Sequence, residues 1–433
     1  MALLLEDKSM HDSSEPSVMQ TPPHGTQQKL KSIEEACERS DFEALVELAT
    51  STGGLLTDEL RRKACAYLAL FTLGTPLTVE KGRYYWVACI GIETKTRYRE
   101  HLARLGRTYP GIPTRIKSNL TLTERLSTIQ EVWSVFPPND QSEQALEEKK
   151  AQLSDLIIST LRKHPLLSYF QSYHDVVQVL LLVLGQNSAA QAVSRMSLFR
   201  LRDYMLPTLV PARKHFELVS AVVSIADPEL ANHISQAENS FALSATHSLF
   251  AHDIQDYREI ARLYDFLLAH EPVMSIYLFA TITISRRSEL LELEPGESDI
   301  LTYMIAKLPQ NLDIDTLAAD SVKLFRSHPP ESLRGLLWWR LSSYSVLKTS
   351  RDIKRPQSLE EAEILGHKQI RQLRSEELMR KRAKQLLKYR RPLTSLTAAL
   401  FIVVVSLYLR RTGQDQYLQS LFGSAARLLS SSG

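Results

Sequence analysis

Residues 169–184 read YFQSYHDVVQVLLLVL, and this stretch decides the fold class. Aromatic and polar residues fill its first half, whereas every residue from Val176 to Leu184 except Gln178 is apolar. A helix that is apolar around its whole circumference has to be buried on all sides. We therefore predict a central buried helix over residues 176–184, with Gln171 at or just before its start.

The sequence on both sides of this stretch also has the spacing of helices. Before it, Leu153, Leu156, Ile157 and Leu161 recur at helical intervals, and after it we predict helices over 218–225, 260–268 and 275–284. Prolines lie at the expected joints: Pro165, Pro207, Pro211, Pro228 and Pro272. Near the amino terminus, Ser32 and Glu35 have the spacing of a capping box, which predicts one helix over 32–49. Alternating strand patterns are absent, so the fold class is all-α.

Composition excludes several classes of function. The net charge of +3 is small for 433 residues and does not point to nucleic acid as a partner. The three cysteines form no CxxC pair, which argues against a disulfide framework or a zinc site. The sequence has no GxGxxG, GxxxxGK[ST], HExxH or GxSxG motif. We therefore predict no metal site and no cofactor bound by the chain itself.

An uncharged apolar run lies near the carboxyl end. Residues 393–409 read LTSLTAALFIVVVSLYL, with Arg390 and Arg391 before the run and Arg410 and Arg411 after it. A helix of this length just spans the hydrocarbon layer of a bilayer, and flanking arginines reach the headgroups. We predict a single-pass tail anchor that leaves nearly all of the preceding chain in the cytosol. A buried core helix is the alternative interpretation. The basic run 371–391 before it is interpreted as a solvated juxtamembrane helix, with specific lipid recognition as the alternative.

Several stretches together resemble one protein family. YFQSYHD at 169–175 looks like the YxQ signature, usually YxQGYHD, of TBC-domain Rab GTPase-activating proteins. LRDYM at 201–205, RLYDFLL at 262–268, GGLL at 53–56 and DELRRK at 58–63 resemble further segments of that family, in the same order. With the predicted anchor, the chain is most similar to the family's endoplasmic-reticulum-anchored branch. The resemblance implies a multi-helix TBC domain, with Gln171 on an exposed concave face.

The resemblance also implies a mechanism. TBC proteins complete the active site of a Rab with two side chains supplied in trans, an arginine finger and the glutamine of YxQ. Gln171 matches that catalytic glutamine, and Tyr169, Arg61, Tyr173 and Asp175 match residues that support the motifs. GTP and Mg²⁺ would belong to the Rab partner. The resemblance implies that this partner is a Rab of the early secretory pathway. The implied location is the endoplasmic reticulum or another endomembrane.

Three departures from the family pattern affect the prediction. Ser172 replaces the usual glycine, and Cys65 stands at the tryptophan position of the RxxxW motif that begins at Arg61. The arginine finger is expected in residues 126–138, LSTIQEVWSVFPP, which contain no arginine; Arg125 is the nearest. The whole segment 66–135 is divergent, either because the finger has been lost or because this part of the gene is mispredicted. A catalytically dead adaptor is therefore the alternative to an activator, and a purely structural anchored protein is a third possibility.

These observations predict the following organisation: a disordered leader at 1–30, a TBC domain at 31–332 that includes the divergent segment 66–135, a basic juxtamembrane region at 333–391, a transmembrane anchor at 392–411 and a short tail at 412–433.

Overall fold

A computed structural model describes residues 24–70, 143–235, 242–294, 298–309, 311–355 and 357–412. In these ranges all regular structure is helical and no strand occurs, which confirms the predicted all-α class. The chain divides into two compact units, Met1–His367 and Lys368–Gly433, and the helices of the first unit carry the motifs quoted above.

The helices have the following bounds: α1 His24–Glu38, α2 Phe42–Thr50, α3 Asp58–Leu70, α4 Glu143–Lys163, α5 Tyr173–Met196, α6 Arg202–Met205, α7 Val210–Ala226, α8 Pro228–Ile234, α9 Leu243–His247, α10 Tyr257–Leu268, α11 Met274–Ser285, α12 Arg287–Leu291, α13 Ser298–Ala306, α14 Ile314–Ser327, α15 Leu337–Arg340, α16 Val346–Thr349 and α17 Leu359–Arg411. A π-helical turn, Ser197–Leu201, joins α5 to α6.

Helix α5 is the predicted central helix. Residues 173–181 are buried without interruption, and α3, α4 and α10 pack against it. Gly185, at φ 72° and ψ 164°, interrupts the helical backbone just after the apolar run. By length and composition, Tyr173–Met205 is the helical stretch of the described chain that could cross a membrane, but half of its most apolar part is buried in the protein. That burial is typical of a core helix.

The amino-terminal prediction is wrong in two respects. Helix α1 begins at His24, inside the predicted leader 1–30, and the predicted helix 32–49 is two helices separated by a break at residues 39–41. Asp41 caps α2 by accepting from the Ala44 backbone N–H at 3.0 Å, whereas the Ser32 hydroxyl donates to the Gln28 carbonyl within α1 at 3.1 Å. The left-handed backbone of Ser40, with φ 54°, follows the end of the first helix. The second helix therefore needs its own N-cap after this break, and Asp41 provides it.

The other predicted helices are confirmed as α4, α7, α10 and α11. Helix α3 continues to Leu70 and so includes the first residues of the divergent segment. The remainder of that segment, residues 71–135, lies outside the described residues, as do residues 1–23 and 413–433.

Helix α17 contains the basic run and the predicted membrane segment. Its backbone is helical through residues 393–409. Leu400, Phe401 and Tyr408, whose side chains are described, are 65%, 69% and 67% exposed. The membrane anchor itself stays a prediction.

Candidate functional site

The loop before α5 presents Gln171 to solvent. Gln171 is exposed, and the chain around it is anchored by two backbone hydrogen bonds, from Ser168 N–H to the Met205 carbonyl at 2.7 Å and from Tyr173 N–H to the Phe170 carbonyl at 3.2 Å. Ser172, buried just before α5, has a left-handed backbone with φ 72° and ψ 0°. The structure thus places Gln171 where the sequence predicted it, exposed just ahead of the central helix.

Tyr169 and His174 close this loop from its two sides. The Tyr169 hydroxyl lies 2.8 Å from His174 Nδ1, and the two rings stack with centroids 6.4 Å apart. Burial lowers the pKa of His174, so its ring is neutral near pH 7. Burial, together with Asp175, raises the pKa of Tyr169 to about 12, so the phenol keeps its proton. The phenol therefore donates to Nδ1, and we assign the imidazole proton to Nε2.

Asp175 connects this pair to a distant part of the chain. It is fully buried, and its Oδ2 accepts from His252 Nδ1 at 2.9 Å. Its Oδ1 lies 3.3 Å from His174 Nε2 without hydrogen-bond alignment. The hydrogen bond to Asp175 raises the pKa of His252, against the effect of burial. We call the following four residues the Asp175 relay: Tyr169, His174, Asp175 and His252. The Asp175 relay extends from the Gln171 loop to the half-exposed ring of His252.

Tyr173 anchors the first turn of α5 to the core. Its side chain is fully buried, and its hydroxyl is 2.7 Å from Ser197 Oγ in the π-helical turn. Tyr173 therefore fixes the helix that follows Gln171 and does not itself reach solvent.

Arg61 has a structural position, not a catalytic one. It is 7% exposed, and its guanidinium donates to Asp265 at 3.0 Å and to Asp58 at 2.8 Å. Asp265 also accepts from the Leu55 N–H at 2.9 Å. A Cβ at Gly54 would lie 2.5 Å from Asp265 Oδ2, and φ there is +57°. The GGLL, DELRRK and RLYDFLL stretches therefore meet around one buried carboxylate, and Arg61 has no free guanidinium to offer as a finger.

The LRDYM stretch is also structural. Arg202 is fully buried and donates to the carbonyls of Leu198 and Tyr344. Asp203 accepts from His215 Nε2 at 3.0 Å and from the Ser345 hydroxyl. These bonds join α6 to the chain beyond residue 340, so the compact unit extends past the last family stretch.

Sequence reasoning missed His252 as a site residue. A lone histidine is usually an ordinary core or surface residue, and nothing in the local sequence links it to Asp175. The expected finger segment 126–138 and Arg125 lie outside the described residues. Within the described ranges, no group of three or more histidine, cysteine or acidic residues is placed to hold a metal ion.

Comparisons with known proteins agree with the motifs. The family described as Rab-GTPase-TBC domain matches residues 83–291, a range that begins inside the divergent segment. TBC1 domain family member 20 of Bos taurus is 31% identical over 298 residues, 68% of this chain and 66% of that protein. Its Homo sapiens counterpart is 30% identical over 296 residues, 68% of this chain and 65% of that protein.

A fungal relative is similar over a shorter range. GTPase-activating protein gyp10 of Schizosaccharomyces pombe is 32% identical over 211 residues, 48% of this chain and 56% of that protein. The matched part of this chain spans slightly less than two thirds of the length of the mammalian relatives. The family match and the motif geometry lead to one conclusion: the chain contains a Rab-GTPase-TBC domain.

Proposed function

We propose that this chain is a GTPase-activating protein for a Rab-family GTPase, with Gln171 as its water-orienting residue. The observation that carries the proposal is the exposed Gln171 amide at the start of the central helix, in a loop closed by the Tyr169–His174 hydrogen bond. An amide on a rigid loop can hold a water molecule in line with the γ-phosphate of a docked nucleotide. GTP and Mg²⁺ come with the Rab partner, and the chain supplies no cofactor of its own.

The size of the acceleration depends on an arginine. An amide is only a dipole and cannot neutralise the charge that develops on the transferred phosphoryl group, whereas an arginine finger contributes about 10³–10⁵ in rate. Residues 126–138 contain no arginine, and this observation favours a second candidate function, an adaptor that binds a Rab without accelerating hydrolysis.

The test measures both binding and single-turnover GTP hydrolysis for a panel of GTP-loaded Rabs with the detergent-solubilised full chain. Because the finger is missing from its expected place, we expect binding with less than about a thousandfold acceleration. Gln171→Ala should then lose little further rate. Gln186→Ala, an exposed glutamine on α5 outside the loop, is the matched control.

Each alternative outcome has a definite meaning. Acceleration of about a thousandfold or more would establish an activator with an unrecognised arginine, and Arg125→Ala would be the first variant to test. In that case Gln171→Ala should lower the rate strongly and Gln186→Ala should not. Failure to bind any GTP-loaded Rab would contradict both the activator and the adaptor.

We further propose that residues 393–409 span a membrane of the endoplasmic reticulum or another endomembrane, with the TBC domain on the cytosolic side. The run has no charged residue, is flanked by arginines, and carries side chains such as Leu400 and Phe401 that are largely exposed in the protein alone. This placement would bring the domain to Rabs of the early secretory pathway.

A further inference from the structure

A short turn in the first unit exposes large apolar side chains that its neighbours do not cover. Residues 334–340 read RGLLWWR, and Leu336 and Trp339 are 66% and 61% exposed. Gly335 and Leu336 both have left-handed backbones, with φ 75° and 55°. A residue with a Cβ atom is disfavoured in the left-handed conformation, so the backbone of Leu336 is held there at a cost in conformational energy.

The base of the turn is fixed in place. Trp338 is buried, with the cationic groups of Lys348 and Arg351 at 5.8 and 5.5 Å from its ring centroid. Helix α15 packs on α7, where Lys214 Nζ donates to the Arg340 carbonyl at 2.9 Å. The exposed tip therefore rests on a rigid support.

Basic side chains flank the turn in the sequence and lie on the helix that supports it. Arg334 and Arg340 flank the tip, and Arg213 precedes Lys214 on α7; all three arginines are exposed. Within the described chain, none of these three guanidinium groups has an ion-pair partner. Glu331, the carboxylate nearest in sequence, is paired with Arg351.

We propose that the turn 334–340 docks on an anionic phospholipid surface, with Leu336 and Trp339 entering the interface and the arginines contacting headgroups. Tryptophan and leucine beside basic residues suit the boundary between headgroups and acyl chains. Each cation near an anionic leaflet strengthens such binding by about fivefold. A lipid surface is favoured over an acidic protein because exposed apolar side chains stand directly beside exposed arginines, and because the same chain carries the uncharged run 393–409. The proposal does not depend on GTPase activation.

Two adjacent tryptophans provide the test and its control. The full chain is reconstituted into phosphatidylcholine vesicles with or without phosphatidylserine, and tryptophan fluorescence is quenched with bromine-labelled acyl chains. We expect quenching in the anionic vesicles, most of it lost in Trp339→Phe and retained in Trp338→Phe. Trp86 and Trp133 give the same background in all three chains, and far-UV circular dichroism verifies that each variant is folded.

The charge requirement is tested separately. The double variant Arg334→Glu with Arg340→Glu keeps both tryptophans and should lose the extra quenching that phosphatidylserine produces. Equal quenching of wild type and Trp339→Phe would overturn the proposal, as would quenching that ignores both the anionic lipid and the charge reversal. It would also be overturned if Trp339 became shielded from solvent only on addition of a GTP-loaded Rab, or only at high protein concentration in detergent. In either case the turn would bind a protein and not a lipid surface.

Discussion

At the scale of single residues, Ser172 is the clearest departure from the family motif. It stands where the motif usually has glycine, and its backbone is left-handed with φ 72°. A left-handed conformation costs an L-residue about 1–2 kcal/mol, and glycine avoids this cost. The substitution by serine therefore has a direct structural consequence at the residue next to Gln171.

We predict that Ser172→Gly increases the free energy of unfolding. The relief of about 1–2 kcal/mol is partly offset by about 0.4–1 kcal/mol from the greater freedom of glycine in the unfolded chain. The net gain should lie between about 0 and 1.6 kcal/mol, measured from the urea midpoint. Ser172→Ala keeps the strain and should show no gain. A lower midpoint for the glycine variant than for the alanine variant would contradict this explanation.

The Asp175 relay makes stability depend on pH. The hydrogen bond to Asp175 raises the pKa of His252 above 6.5, with a further contribution from Asp253. Because the folded-state pKa exceeds the unfolded value, this stabilisation is complete below about pH 6.5 and is lost as pH rises through the folded pKa. His252 is 43% exposed, so solvent limits the contribution to at most about 1 kcal/mol.

The corresponding test compares wild type with His252→Gln, which keeps a donor but loses the charge. We expect the variant to be less stable than wild type at about pH 6 and the difference to shrink by about pH 8.5. Burial lowers the pKa of His174, which acts in the opposite direction, and the charge of His252 adds a smaller lowering, so the comparison includes this coupling between the two histidines. A difference that stays constant across this range would show that the charge of His252 has no role.

At the scale of elements, one buried carboxylate holds α3 and the loop before it against α10. Asp265, with a side chain only 3% exposed, accepts from Arg61 and from the Leu55 N–H. Removing the cation of such a pair leaves an uncompensated buried charge, which costs about 3–5 kcal/mol.

We therefore predict that Arg61→Ala lowers the free energy of unfolding by about 3–5 kcal/mol. Arg62→Ala is the matched control, because Arg62 is exposed on the same helix and its truncation should change stability by less than about 0.5 kcal/mol. Denaturant unfolding measures both variants. Similar losses for the two would mean that the buried pair contributes nothing beyond an exposed arginine.

At the scale of the whole molecule, the proposed membrane anchor over residues 393–409 can be tested by removing it. We predict that deleting them moves the protein from the membrane pellet to the soluble fraction. Leu400→Arg with Val404→Arg preserves the length of the helix, and each charge at the centre of a span costs about 2.5–3.5 kcal/mol, so this variant should also be released. If the deleted chain still pellets after a high-salt wash, this segment is not the anchor.

The sequence alone determined what depends on local pattern. The apolar period of residues 153–161 and the apolar run 176–184 required buried helices, and α4 and α5 are those helices. The YxQ motif placed Gln171 before the central helix, and it is exposed there. The capping-box prediction at Ser32 was wrong because an N-cap forms only at the start of a helix. Ser32 lies inside α1, and the helical backbone is interrupted at residues 39–41 instead.

Only the tertiary structure decided how the motifs are used. Arg61 meets Asp265 across 204 positions, and His252 meets Asp175 across 77, so no local pattern could record either contact. The left-handed backbone of Ser172 follows from the way the loop enters a buried helix, not from the preference of serine. Buried ionic and hydrogen-bonded groups take partners wherever the fold brings them together, and for that reason the sequence could predict the exposed position of Gln171 but not the relay beside it.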